Sequence, residues 1–183
     1  MDYSLPRRMQ RFLLFLVALA NCSTALAWEE PDGFLGLRWG SPTAEFRDQQ
    51  PRAQEMTTDA LNPKGRTRSF AVANAGIQTV SVNINYVFLD DQFVCAYVFF
   101  APKEFFAIES IFASQYGPPH ETKQNVLSPQ IGVEYQNKTL KWEGETIIIE
   151  VSRYYGARPD GFAAVGKKSF LHPPPRPIFL RPQ

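Results

Sequence analysis

Only a few side chains in this chain have the chemistry to act as catalysts or ligands. They are two histidines, His120 and His172, two cysteines, Cys22 and Cys95, and two close acidic pairs, Asp90-Asp91 and Glu143-Gly-Glu145. Nucleophilic catalysis by serine or cysteine needs an imidazole base beside the nucleophile. His120 follows Pro118-Pro119 and His172 precedes a triproline, so both are expected in solvated loops. No His-x3-His or Cys-x2-Cys spacing is present to hold zinc. General acid catalysis requires a desolvated carboxylate with a raised pKa. Both acidic pairs fall where hairpin tips are expected, and a calcium ion at Asp90-Asp91 would need several further oxygens. A carboxylate hydrolase would have to gather two of Glu134, Glu150, Asp59 and Asp160 in one cleft. Gly33, Gly36 and Gly40 lack the lysine and hydroxyl residue of a phosphate loop. Asn137-Lys-Thr139 matches a glycosylation acceptor in an expected turn. No catalytic residue, metal ligand or cofactor is assigned.

Recognition chemistry is better represented. Aromatic residues make up 14% of the chain, and aromatic side chains dominate binding hot spots. Trp39, Phe106 and Trp142 are the candidates for an interaction surface. Phe106 lies off the apolar stripe set by Phe105, Ile108 and Phe112. Cys95, inside the apolar run Phe93–Phe100, is expected to be a small buried hydrophobe.

The N-terminus reads as a cleavable export signal over residues 1–27. Arg7, Arg8 and Arg11 precede the apolar run Phe12–Ala20, and Ala25-Leu-Ala27 supplies the small-x-small cleavage pattern. The run is shorter than the roughly 20 residues a membrane span needs. Cleavage after Ala27 would leave Trp28 first. The alternative is lipidation at Cys22, which would anchor the protein by acyl chains. The chain carries 19 basic and 18 acidic residues, and losing residues 1–27 removes three arginines and one aspartate. The balance left is near neutral, which argues against nucleic acid as a partner. From Arg153 onward basic residues outnumber the single acid Asp160, so membrane contact would come through this stretch or through lipid on Cys22.

The elements that would position these side chains are those of a single α+β domain over 28–170, followed by a proline-rich tail at 171–183. Ser41 is expected to cap a helix with Pro42 at its first position, running to Gln49 and burying Ala44 and Phe46. A loop at 51–65 leads to strands at 66–73, 80–88 and 93–100, turning at Asn74-Ala-Gly76 and Asp90-Asp91. The middle strand alternates cleanly from Val80 to Phe88. A second helix starts at Pro102, carries the stripe Phe105, Ile108, Ile111, Phe112, Ala113, and stops at Gly117. A loop to Pro129 precedes strands at 131–136, 139–142 and 146–154, with turns at Asn137-Lys138 and Glu143–Glu145. Gly161–Val165 would add an edge strand. The order is helix, loop and three-stranded meander, twice (33–101 and 102–154), giving an antiparallel sheet with both helices on one face.

Leu37-Arg-Trp-Gly-Ser41 entering the first helix, Tyr116-Gly-Pro-Pro119 ending the second, and an aromatic-rich meander after each carry a resemblance. The order resembles the exported modules of β-lactamase inhibitory protein and of the small lipoprotein of the outer-membrane β-barrel assembly machinery. It would also fit another bacterial envelope family. The resemblance implies a protein that binds proteins and does not catalyse. The expected function is an exported, non-catalytic binding or assembly module of the bacterial cell envelope, periplasmic or secreted. The alternatives are a periplasmic carrier of a small apolar ligand or lipid and, third, the carboxylate hydrolase.

Overall fold

The computed structural model describes residues 28–56, 66–130, 133–156 and 160–171. The expected leader with Cys22, Ala25 and Ala27, Asp59, Arg158, and the tail with His172 lie outside them. A two-stranded hairpin, β1 (Gly33–Phe34) and β2 (Leu37–Arg38), opens the fold. It is followed by α1 (Thr43–Gln49), β3 (Gln54–Met56), β4 (Thr67–Ile77), β5 (Val80–Leu89) and β6 (Gln92–Phe100). A 3₁₀ turn at Pro102–Glu104 leads into α2 (Phe105–Tyr116). Then come β7 (Glu121–Gln130), β8 (Val133–Glu143), β9 (Ile147–Ser152), β10 (Gly161–Lys167) and the short α3 (Lys168–Leu171).

Strands β3–β10 form one antiparallel sheet in the order β3-β4-β5-β6-β10-β9-β8-β7. Each run lies side by side in chain order, and the last strands of the two runs meet in the middle. Alternation sorts the side chains into two buried groups. Phe70, Ile84, Phe88, Leu140, Trp142, Ile149 and Val165 share one cluster with Phe46 of α1 and Phe105, Ile108 and Phe112 of α2. Val87, Cys95, Tyr97, Ile148, Phe162 and Leu171 form the other. Phe46 meets Phe70, Tyr86 and Phe88 at ring separations of 4.8–5.4 Å.

Several sequence expectations are corrected. Each run has four strands, not three. Residues 121–130, expected as loop, are the strand β7, whose exposed polar residues gave no alternation to read. Residues 133–143 are one strand without a turn at Asn137-Lys138, because the Asn137 side chain is satisfied inside the sheet. Gly161–Val165 is not at the edge: β10 pairs with β6 and β9 at the centre, where its Gly and Ala residues fit between covered faces. Strand β4 runs on through Asn74-Ala-Gly76 by a bulge after Val72, and the chain turns at Gln78-Thr79 instead. In α1, Ala44 is exposed and Thr43 is buried with Phe46.

The first helix is capped from a distance. Pro42, not Ser41, occupies the cap position and supplies no side-chain bond. Thr43 N–H and Oγ1 instead donate to Asp91 Oδ1 at 3.2 and 2.5 Å. Asp91 and Asp90 both have positive φ in the β5–β6 turn, and Asp90 pairs with Arg66. The acidic turn therefore sets the helix entry.

Candidate functional site

The three aromatic candidates separate by burial. Trp142 is fully buried on β8, its indole N–H donating to Gly117 O at 2.9 Å, so it is core and not an interaction residue. Trp39 is half-buried, stacked 4.9 Å from Phe93, and its indole donates to Pro31 O at 2.7 Å. It anchors the entry segment. Phe106 is 62% exposed on the first turn of α2. Its neighbour Phe105 takes the buried position, which turns Phe106 outward.

Around Phe106 the structure assembles residues far apart in sequence. Arg153, just past β9, places Cζ 5.6 Å from the Phe106 ring centroid and 5.5 Å from that of Tyr154. Tyr154 lies 4.9 Å from Tyr135 of β8. The Arg153 backbone N–H donates to Lys138 O at 3.0 Å. Tyr154 N–H and Ser152 Oγ donate to Asn137 Oδ1, and Asn137 Nδ2 donates to Asn125 Oδ1. These bonds fix where β9 ends and hold Arg153 and Tyr154 at the sheet's rim. They also occupy the buried Asn137 amide, so the acceptor pattern Asn137-Lys-Thr139 marks a structural residue. Lys138 pairs with Glu109 of α2 at 2.7 Å. Sequence reading found Phe106 through its place off the stripe. It placed Arg153 only at the start of a basic stretch and missed Tyr154 and Tyr135, because only the strand register brings these residues to Phe106.

The described candidate acids stand in solvent. Glu134, Glu150 and Asp160 are exposed, and no group of three metal-capable side chains occurs among the described residues. Cys95 is fully buried, and burial pushes its thiol pKa up, away from a reactive thiolate. His120 Nδ1 accepts the Glu143 N–H at 3.0 Å, while Trp28 stands edge-on to its ring at 5.1 Å. No helix among the described residues is long and apolar enough to cross a membrane. An open groove of about 650 Å³ lies along the β4 bulge, where Leu35, exposed at positive φ, faces Val72, Ile84 and Tyr86 with Arg52 and Gln54 at its rim.

Carboxylates here do structural work instead. Glu30 receives the N–H groups of Thr146 (3.1 Å) and Ile147 (3.0 Å), that of Glu145, and the Thr146 hydroxyl. Burial raises its pKa, but the Thr146 hydroxyl and the three amides outweigh this, leaving it below the usual 4.5. Trp28 adds an indole bond to Tyr116 O at 2.9 Å, so residues 28–30 strap the second run. Glu143, bonded to Lys141 and Lys168, drops to about 2. Both shifts are downward. Each ionised carboxylate therefore adds stability above its unfolded pKa near 4.5, and that stability is lost as pH falls through the folded value. The urea midpoint is expected to hold from pH 7 to about 5.5 and to fall progressively toward pH 2. Glu30→Gln should lower the neutral midpoint by the equivalent of about 1 kcal/mol, with solvent screening allowed for, and reduce the acid slope. Equal midpoints at pH 6 and pH 3 would refute this assignment.

With this geometry in view, the comparisons with known proteins return no partner for the chain: no protein-family model, no curated protein and no solved structure matches it.

Proposed function

We propose that the chain is an exported, non-catalytic binding or assembly module of the bacterial cell envelope, gripping a protein partner at the surface around Phe106. The carrying observation is Phe106 itself, a large apolar ring 62% exposed with an arginine over it. Exposed aromatics beside arginine are the composition of binding hot spots. The scaffold reading supports this. The two helix-plus-four-strand runs behave as repeats, with both helices on one face, and the symmetric strand order and the shared cluster favour that view. The resemblance of the sequence to exported protein-binding modules, carried by Leu37–Ser41 and Tyr116–Pro119, also supports the reading. Export rests on the leader-like residues 1–27, with lipidation at Cys22 as the anchored variant.

A carrier of a small apolar ligand is the second reading, favoured by the groove under Leu35. Its mixed polar lining fits an apolar cargo less well than the Phe106 surface fits a protein.

The test is a photo-crosslinking residue, p-benzoylphenylalanine, at position 106 in intact cells, with the same residue at exposed Asp48 of α1 as control. The expected result is one adduct of defined mass from 106 and none from 48. No adduct at 106, or the same adducts from both positions, would defeat the proposal.

A further inference from the structure

Among the described residues, most basic side chains already have an acid. Arg47 and Arg68 share Glu55, Arg66 holds Asp90, Lys138 holds Glu109, and Lys141 and Lys168 share Glu143. Arg153 has no carboxylate within ion-pair distance among the described residues, and its Nε is buried without a hydrogen-bond partner. Arg52 and Lys167 also lack an acid, but among the described residues neither stands over an aromatic ring as Arg153 does. The rings of Phe106 and Tyr154 lie within cation–π distance of the guanidinium. Ring faces attract the cation but do not replace an in-plane acceptor for its N–H groups. The buried Nε is shielded from a ligand, so a carboxylate would dock end-on across the two Nη groups, two bonds at a time.

We infer that the Phe106–Arg153 surface recognises an acidic segment of a protein partner, with one carboxylate on the Arg153 guanidinium and an adjacent apolar side chain on the Phe106 ring. This rests on the binding-module reading and adds the chemistry of the partner. Charge complementarity supports it: Lys138 nearby is neutralised by Glu109, which leaves Arg153 as the uncompensated charge beside the exposed ring.

The test follows the Nε–H resonance of Arg153 in the ¹⁵N-labelled chain. The probes are the capped peptide Glu-Leu-Glu-Phe, its neutral counterpart Gln-Leu-Gln-Phe, and phosphatidylglycerol–phosphatidylcholine vesicles. The acidic peptide is expected to shift the resonance saturably, with the neutral peptide about tenfold weaker. Backbone amide shifts report the same binding in variants. Arg153→Lys, which keeps the charge but loses the fork, should bring the acidic peptide down to the neutral one. Phe106→Ala, an exposed substitution, should weaken both peptides. Raising salt to about 0.5 M should weaken the acidic peptide several-fold.

Equal binding of the two peptides would overturn the carboxylate inference while leaving the surface reading intact. So would silence toward both peptides when the crosslink at 106 still forms. A response to the vesicles alone would overturn it in favour of an anionic lipid surface. Absence of the crosslink removes the surface reading itself.

Discussion

Replacing Trp142 with alanine is expected to lower the thermal unfolding midpoint by roughly 10–15 °C. The indole is fully buried on β8, paired in register with Ile149, and its ring lies 6.4 Å from that of Phe112 on α2. Truncating a buried tryptophan costs about 3–5 kcal/mol, because the hole left behind does not fully collapse. Each kcal/mol moves the midpoint by about 2–4 °C in a domain of this size. A second loss adds to the cavity. Gly117 O, at the residue that ends α2 with a φ of 79°, gives up the indole donor. Trp142→Phe keeps most of the volume and loses that bond, so it should cost less than half as much. Circular dichroism melts of the three proteins decide the matter. A midpoint unchanged within 2 °C in the alanine variant would mean that β8 is not joined to α2 through this side chain.

Gly166→Ala should be nearly as damaging, for the opposite reason. Gly166 sits on β10 opposite Cys95 of β6 and Ile148 of β9. A Cβ there would collide with Cys95 Cβ and come within 2.6 Å of Val94 O. Part of the obstacle is backbone, so rotamer changes cannot relieve it. Overpacking of this kind costs about 1–3 kcal/mol, and the central place of the seam puts the expected loss near 3 kcal/mol. Gly76→Ala is the control. Nothing lies within 4 Å of its added methyl, so that variant should match the parent or gain about 0.5 kcal/mol. If the two alanine variants melt together, the close approach of β6 and β10 is wrong.

Much of the scaffold could be read from local pattern, and the failures have physical causes. The alternation of Val80–Phe88 and the stripe of α2 announced themselves, because each buries one face against a core. The strands that were missed or misplaced lacked such a face, the three-residue β3 inside the expected loop at 51–65 among them. In β7 the exposed Lys123, Gln124 and Asn125 made a strand resemble loop. In β10 small residues, chosen for closeness to β6, hid a central strand behind poor β-propensity. Asn137 looked like a turn residue because Asn favours turns, and only long-range partners explain it. The site was half legible. Phe106 stood out from its helix, whereas Arg153 acquires meaning only when strand register brings it to α2 across 47 positions of sequence.

The strand order also dictates a timetable. Residues 161–167 lie between β6, about 60 residues earlier, and β9, the strand just before them in the chain. Without that last strand the sheet would be two halves, each with an apolar border: Phe93–Phe100 on one, Ile147–Val151 on the other. Unfinished borders of this kind invite pairing with any other extended chain. A nascent chain halted before Gly161 would hold both open, while one that reaches Lys167 closes them in a single step. In order of synthesis the sheet is thus laid down from its ends inward, and the strand made last is the one that joins its halves.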